Sequence, residues 1–181
     1  MEEEELDREA IERCRGGDVE AFGALIDRYE RPVYNAILHM VGNAEDAREL
    51  CQQVFMKAFE HLDSYDANRR FFSWIYRVAM NESINHLKTR RTYEPLTDKM
   101  PYSNPDPAER YEGIEQRNQL ESAISALDDN YRSVLILRHF IHLSYREIAD
   151  IRSVSEAIVK SRLFTARQLL RQALEAKGHV A

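Results

Sequence analysis

A helix, a short break and a second, basic helix in the last third of the chain constrain the fold more than any other feature. Residues 143–149 have a helical apolar pattern, residues 152–154 interrupt it, and residues 155–171 resume it. Ser144 followed three residues later by Glu147 is the sequence signature of a capping box at a helix N-terminus. The pattern predicts a helix-turn-helix, in which the second helix lies in the major groove of DNA.

The second helix of this pattern carries different chemistry on its two faces. Ser155 is the expected N-cap, and the stripe predicted to face inward contains Ile158, Leu163, Ala166 and Leu170. Recognition helices meet base edges with the outer face of their N-terminal end. On the second helix, that part of the outer face would hold Glu156, Lys160, Ser161, Phe164 and Thr165. Phosphate contacts, which set the register without reading sequence, are predicted for Arg162, Arg167 and Arg171. The alternative is a plain αα-hairpin with a basic solvent face.

The rest of the chain also favours helices. Its 181 residues include 6 glycines and 5 prolines, and alternating runs of β-branched residues are absent. Four of the prolines lie between residues 95 and 107, where the periodic apolar pattern fails. We therefore expect an all-α fold of two small helical domains, residues 1–91 and 108–181, joined by a flexible linker of residues 92–107.

Four helices are expected in the first domain. They cover residues 5–16, 18–41, 44–62 and 71–90, with Asp18 as an N-cap, a kink at Pro32 and a stop at Gly42. In the third helix, the positions predicted to face inward are Leu50, Val54, Phe55, Ala58, Phe59 and Leu62.

Charge is distributed unevenly along the chain. The net charge is −6, and residues 1–12 hold seven acidic residues and one basic residue. In the neutral remainder, residues 66–91 carry six basic and two acidic residues, and residues 155–177 carry five basic and two acidic residues. Two local basic surfaces fit two DNA-contacting elements, although two solvated helix faces would give the same pattern.

The first of these basic segments is also aromatic. Residues 71–76 contain four aromatic side chains, directly after a loop with Tyr65 and the pair Arg69–Arg70. Because a helix buries one stripe, some of these rings are expected at the surface, although Phe71 and Trp74 taken singly fit an aromatic core. Exposed aromatic side chains beside basic ones are the combination that stacks unpaired bases and holds their backbone.

Four sequence blocks in order resemble the extracytoplasmic-function sigma factors of bacterial RNA polymerase, over residues 15–175. The first two are Gly17-Asp18-x-x-Ala21-Phe22 and Gln52-x-Val54-Phe55-x-Lys57-Ala58-Phe59. The third is Trp-Ile-Tyr-Arg-Val-Ala-x-Asn at 74–81, and the fourth combines the segments 143–149 and 159–167. The resemblance implies a sigma-2-like domain followed by a sigma-4-like domain, in a non-catalytic subunit that directs promoter-specific transcription initiation.

The same resemblance implies roles for individual residues. Core polymerase would be bound by Glu49, Gln52, Gln53 and Phe55. The −10 promoter element, with a flipped base received by the loop 65–70, would be bound by Tyr65, Arg69, Arg70, Phe72, Trp74, Arg77, Asn81 and Lys88. The −35 element would be bound by Arg138, Ser155, Lys160, Ser161, Arg162, Phe164, Thr165 and Arg167. The implied partners are core RNA polymerase, promoter DNA and an anti-sigma factor.

Several positions depart from the family pattern. Gln53 stands where an acidic residue is usual, which predicts weaker docking of the isolated chain on core polymerase. Met80 and Asn85 replace a usual Arg and Asp beside the −10 helix. Ser153 stands in the turn where glycine is usual, and Thr165 replaces an arginine that can read guanine.

Two other functions remain open at this point. A helix-turn-helix regulator that never joins polymerase has no need of the segment 65–77, whereas a sigma mimic that titrates an anti-sigma factor fits the departures at Gln53 and Met80. The sequence has no catalytic constellation and no phosphate loop, so we expect no enzyme activity and no cofactor. His139 and His142 lack a third ligand nearby, so we expect no metal. No apolar run is long enough for a membrane span, so we expect a cytoplasmic protein without membrane insertion.

Overall fold

Eight α-helices make up most of the described part of the molecule. The computed structural model describes residues 2–93 and 111–176, and within them the side chains of residues 4–92 and 118–176. The helices are α1 (Glu2–Arg15), α2 (Phe22–Val41), α3 (Ala44–Glu60), α4 (Phe71–Tyr93), α5 (Tyr111–Ser125), α6 (Asp129–His139), α7 (Tyr145–Arg152) and α8 (Glu156–Glu175). One-turn 3-10 helices at Val19–Ala21 and Leu62–Ser64 precede α2 and follow α3. The all-α prediction is confirmed, while most of the predicted linker lies outside the described residues.

The ends of α2 and α3 follow the local sequence signals. α2 continues through Pro32 and ends at Gly42, which is left-handed (φ 72°) and donates its N–H to a carbonyl of the last turn at 2.8 Å. Asn43 then caps α3, because its side-chain oxygen accepts hydrogen bonds from two backbone N–H groups of the first turn. Asp18 precedes the 3-10 turn instead of capping α2 directly, and its carboxylate pairs with Arg13.

α7 and α8 form the predicted helix-turn-helix. The Ser144 hydroxyl accepts from the Glu147 N–H at 3.2 Å, and the Glu147 carboxylate accepts from the Ser144 N–H at 2.8 Å, which completes the capping box. Ser153 ends α7 in the left-handed conformation (φ 52°, ψ 46°), and the Ser155 side chain caps α8. The tight turn is therefore made by a serine in a conformation that favours glycine.

Two positions that we predicted to face inward are exposed. Phe59 is 39% exposed at the end of α3, where its ring meets Phe22 edge-on at 5.2 Å at the margin of the core. Ile158 is 42% exposed, and Val159 takes the inward position on α8. The prediction at Ile158 was wrong by one residue because the buried stripe of α8 follows the i, i+4, i+7 spacing that starts at Val159.

The two groups of helices share their apolar core. One cluster of buried side chains includes Met40 of α2 and Ile75 of α4 together with Ile136 of α6 and Ile148 of α7. α2 packs against α6, and α4 packs against α7. Periodicity predicted two packed units, and the structure adds that these units bury apolar surface against each other.

Candidate nucleic-acid and polymerase interfaces

The loop before α4, residues 65–70, is braced from below by α1. Arg15 donates from Nη2 to the backbone carbonyls of Leu62 at 2.7 Å and Tyr65 at 2.5 Å, and its guanidinium lies 5.9 Å from the centre of the Tyr65 ring. The Tyr65 hydroxyl donates to the carbonyl of Arg69, and burial raises the pKa of Tyr65 to about 12. Arg15 thus fixes the loop, a role that the acidic composition of α1 did not reveal.

The tip of this loop presents polar side chains to solvent. The Asp66 carboxylate accepts hydrogen bonds at 3.0 Å from both the backbone and the side-chain nitrogen of Asn68, which tightens the turn. Arg69 and Arg70 are exposed. They line a pocket of about 140 Å³ between the loop and α1, with Tyr65 in its wall. In this arrangement the buried Tyr65 ring shapes the loop, while on the exposed rim Arg69 pairs with Asp66 and Arg70 pairs with Glu4 of α1.

The aromatic side chains at the start of α4 are divided between core and surface. Phe71 is 2% exposed and Tyr76 is 1% exposed, whereas Phe72 and Trp74 are half-buried. The Trp74 ring packs 5.2 Å from Tyr65 and 5.6 Å from Phe71, and the Phe72 ring lies 4.7 Å from Tyr76. The rings of Phe72 and Trp74 therefore remain partly accessible, because a helix buries only one stripe of its surface.

One side of α4 collects the polar residues predicted to meet the −10 element. Arg70, Arg77, Asn81 and Lys88 are spaced by seven, four and seven residues, which places them on one helical face, called here the strand face. Asn81 and Lys88 are exposed and Arg77 is half-buried. Met80 is 0% exposed and belongs to the core, so its departure from the family pattern leaves the strand face unchanged.

The N-terminal outer face of α8 is open to solvent, as predicted. Lys160 and Ser161 are exposed, and Phe164 is 63% exposed. Glu156 and Arg167 are also exposed, beside the half-buried Arg162 and Thr165. A phenylalanine this exposed among polar side chains suits apolar contact with a thymine methyl group. Arg171, further along, is paired with Glu175 at 2.7 Å.

Tyr145 of α7 orders two basic side chains beside α8, and sequence reasoning missed it. The Arg138 guanidinium lies 5.2 Å from the centre of the Tyr145 ring, and the Lys160 ammonium lies 5.7 Å from it. Arg138 also donates to a backbone carbonyl before α7 at 2.7 Å. Arg167 lies 3.3 Å from the His139 ring, and burial together with the charge of Arg167 lowers the pKa of His139. Both effects favour the neutral form of the His139 ring.

The predicted polymerase-binding residues lie on α3. Glu49 and Gln52 are exposed, and the half-buried Gln53 donates to the Glu49 carboxylate at 3.3 Å, one turn back along the helix. Phe55 is 7% exposed and therefore packs mainly inward. The accessible part of this face is thus polar and carries one carboxylate where the family pattern has two.

An apolar groove between α2 and α3 borders that polar face. It has a volume of about 1060 Å³, and Gln52 and Phe55 are among its lining residues. Its rim carries Val19, Met56 and Phe59, which are 60%, 63% and 39% exposed. Exposed apolar side chains gathered in one groove are typical of an interaction surface. The groove was missed because helical periodicity assigned Phe59 to the core.

The cysteines and histidines of the described fold are scattered. Within residues 2–93 and 111–176, no group of three or more His, Cys, Asp or Glu side chains is arranged to hold a metal ion. Cys14 and Cys51 are free thiols, and burial raises the pKa of Cys51 to about 11. In the same part of the chain, no helix is both long and apolar enough to cross a membrane.

Comparison with known proteins assigns both halves of the chain. Residues 25–93 match the family model for Sigma-70 region 2, and residues 117–170 match the model for Sigma-70 region 4. The ECF RNA polymerase sigma-E factor of Escherichia coli K12 is 30% identical in an alignment that covers 94% of this chain and 95% of the relative. The chain belongs to the extracytoplasmic-function sigma factors. In this sigma factor, region 2 contains α3, the braced loop and α4, and region 4 contains the helix-turn-helix.

Other relatives agree with this assignment. The ECF RNA polymerase sigma factor SigW of Bacillus subtilis is 29% identical, with 92% of this chain and 96% of the relative covered. The sigma factor RpoE of Bartonella quintana, solved in complex with the anti-sigma factor NepR, has the same fold with a TM-score of 0.72. That match is 19% identical and covers 86% of this chain and 98% of the other.

Proposed function

We propose that this sigma factor recruits core RNA polymerase to promoters by reading the −35 element as duplex DNA and the −10 element as a separated strand. The observation that carries the proposal is the presence, in one chain, of a solvent-open recognition helix and a braced loop followed by a basic, aromatic helix. A regulator that reads duplex DNA alone needs the first of these features and has no use for the second.

The duplex half of the proposal rests on α8. Lys160 and Ser161 can hydrogen-bond base edges in the major groove, and Phe164 can contact a thymine methyl group. Arg138, Arg162 and Arg167 would contact phosphates, and Ser155 brings the positive end of the helix to the backbone. Thr165, which replaces the usual arginine, offers no bidentate fork for guanine, so the preferred −35 sequence would differ at that position.

The single-strand half rests on the loop and α4. A base flipped from the −10 element costs a few kcal/mol of lost stacking, which contacts in a preformed pocket repay. The pocket beside Arg69 and Arg70 would receive such a base, and the accessible edges of Phe72 and Trp74 would stack its neighbours. The strand face would then follow the backbone. Tyr65 would act through the shape of the loop, because its ring is buried.

Core polymerase would dock on α3. The accessible Glu49, Gln52 and Gln53 provide polar contacts, and the adjoining groove with Phe55 in its wall provides apolar area. The neutral Gln53 removes one carboxylate from a charge-complementary surface, so affinity for core would be lower than in relatives with an acid at this position.

We further propose that the chain is non-catalytic, acts in the bacterial cytoplasm where core polymerase is found, and is controlled by an anti-sigma factor. The Bartonella relative, crystallised with its anti-sigma factor, supports the last point. The alternative of a sigma mimic loses one of its two supporting features, because Met80 is a core residue.

Reconstitution with core polymerase on matched libraries of premelted and closed promoters tests the proposal. We expect specific transcripts, loss of −35 dependence in Lys160→Ala with Phe164→Ala, and loss of initiation on closed promoters in Trp74→Ala. Gln168→Ala is the matched control on an exposed position of α8. Binding to duplex DNA without any transcription would instead favour a regulator that does not join polymerase.

A further inference from the structure

The strand face of α4 is covered by the helix-turn-helix unit of the same chain. Near the start of α4, Arg70 Nη1 lies 3.3 Å from the carboxylate of Glu147, and Arg77 donates to the backbone carbonyl of Asp150. Both acceptors belong to α7. Arg70 also pairs with Glu4 of the acidic α1. The arginines that would meet the DNA backbone are therefore occupied by protein oxygen atoms.

The far end of α4 is paired in the same way. Arg91 makes two hydrogen bonds, at 2.9 and 2.8 Å, to the carboxylate of Asp129 at the start of α6. Asp129 is 5% exposed, whereas the Arg91 side chain is 45% exposed, so the buried carboxylate holds a guanidinium that solvent still reaches. The rise of an α-helix puts Arg70 and Arg91 about 30 Å apart, so carboxylates meet α4 at both ends of the strand face.

Between these two ends, side chains of the strand face line two polar clefts that they share with the helix-turn-helix unit. Arg70 and Arg77 line a cleft of about 590 Å³ together with Glu147 and Asp150. Asn81 and Lys88 line a second cleft of about 420 Å³, with Asp128 and Asp129 on its opposite wall. Carboxylates of α6 and α7 thus lie opposite the basic side chains at positions that phosphates of a bound strand would occupy.

A shared apolar core and one buried hydrogen bond hold the two units in this arrangement. The rings of His39 on α2 and Phe140, at the end of α6, are 3.9 Å apart. Arg132 of α6, which is 1% exposed, donates to the carbonyl of Met40 at the end of α2 at 2.7 Å. The ion pairs along α4 therefore set the register of an interface that apolar burial stabilises.

We propose that the helix-turn-helix unit is an intramolecular competitor of the −10 strand, whose phosphates the carboxylates of Glu147 and Asp129 replace. This inference rests on the proposed function. It concerns region 2 alone, because the outer face of α8 stays open in the closed arrangement: Phe164 is 63% exposed there. The free sigma factor can therefore bind a −35 duplex while its strand face is blocked, and the two units must separate before the strand is captured.

The double variant Glu147→Gln with Asp129→Asn tests the inference in the full chain. Glutamine at position 147 still satisfies a capping box, so α7 keeps its N-terminal cap. The control Glu60→Gln with Asp27→Asn changes the net charge equally at exposed positions of α3 and α2. The probes are a random single-stranded 12-mer and a random duplex, both labelled with a fluorophore, with affinity measured by anisotropy at low salt.

We expect the test variant to bind the single strand at least fivefold more tightly than wild type, because apparent affinity rises with the fraction of open molecules. The control should stay within twofold, and duplex affinity should be equal in the test and control variants. Small-angle scattering of the test variant should show a radius of gyration larger than about 16 Å, the value expected for a compact chain of this length.

Equal single-strand affinity of the test and control variants would overturn the inference, provided that the same preparations initiate transcription with core polymerase. Equal gains for single strand and duplex would overturn it as well, because they would indicate a general charge effect. If wild type fails to transcribe while the test variant expands in solution, the proposed function is refuted and the ionic closure of the two units is supported.

Discussion

Replacing the buried Arg132 by methionine tests how far one cation links the two halves of the chain. Its guanidinium donates to the carbonyls of Met40 at 2.7 Å, Leu127 at 3.1 Å and Ser125. These carbonyls lie at or just beyond the C-terminal ends of α2 and α5, where backbone acceptors lack helical partners and the helix dipole favours a positive charge. Burial lowers the pKa of Arg132, and the nearby carboxylate of Asp129 opposes this effect.

The expected loss of stability follows from these three acceptors. Methionine has a similar length but no donor, so three carbonyls would stay buried without a partner, at about 1 kcal/mol each. Removing a buried charge can recover part of this cost when the replacement side chain packs well. Here the three carbonyls that accepted from the guanidinium stay in place, so removing their donor destabilises the fold. We expect the free energy of unfolding to fall by about 3 kcal/mol, equivalent to about 6–12 °C in Tm for a chain of this size.

Urea denaturation followed by far-UV circular dichroism measures this loss. Arg132→Lys keeps the charge but offers one compact ammonium in place of a fork, so it should recover part of the stability. Arg48→Met, at an exposed position of α3, is the control for the substitution itself. The reasoning is refuted if Arg132→Met unfolds at the same urea concentration as Arg48→Met.

Three further predictions concern single residues. Ser153→Gly should raise Tm by about 2–4 °C, because it relieves about 1 kcal/mol of left-handed strain; an unchanged Tm would contradict this. Gln53→Glu should tighten core polymerase binding about fivefold by restoring a carboxylate; equal affinities in a titration would refute it. Burial acts to raise the pKa of Glu147, but hydrogen bonds from Ser144 and the charge of Arg70 outweigh it and hold the pKa below the ordinary 4.5. The ionised Glu147 therefore contributes its full stabilisation above pH 4.5, and this stabilisation is lost as the pH falls through the lowered pKa. Glu147→Gln should therefore flatten the decrease in Tm between pH 6 and pH 3, and an equally steep decrease in the variant would count against this assignment.

Local chemistry determined most of what the sequence predicted correctly. Helix ends at Gly42, Asn43, Ser144 and Ser155 depend on caps formed within a few residues, so they can be read from neighbouring letters. The open outer face of the recognition helix was also predictable, because polar residues at helical spacing mark a side that cannot be buried. The family was recognisable for the same reason, since its motifs are local and ordered along the chain.

Tertiary structure decided the features that depend on residues far apart in sequence. Arg15 reaches the loop at Tyr65 across 50 positions, and Tyr145 aligns Arg138 with Lys160; neither pairing has a periodic or local signal. The single apolar core that joins α2 and α4 to α6 and α7, and with it the covering of the strand face, also arises between segments that one-dimensional patterns treat separately. Periodicity specifies which side of a helix is buried, whereas the identity of the surface that buries it is set by packing in three dimensions.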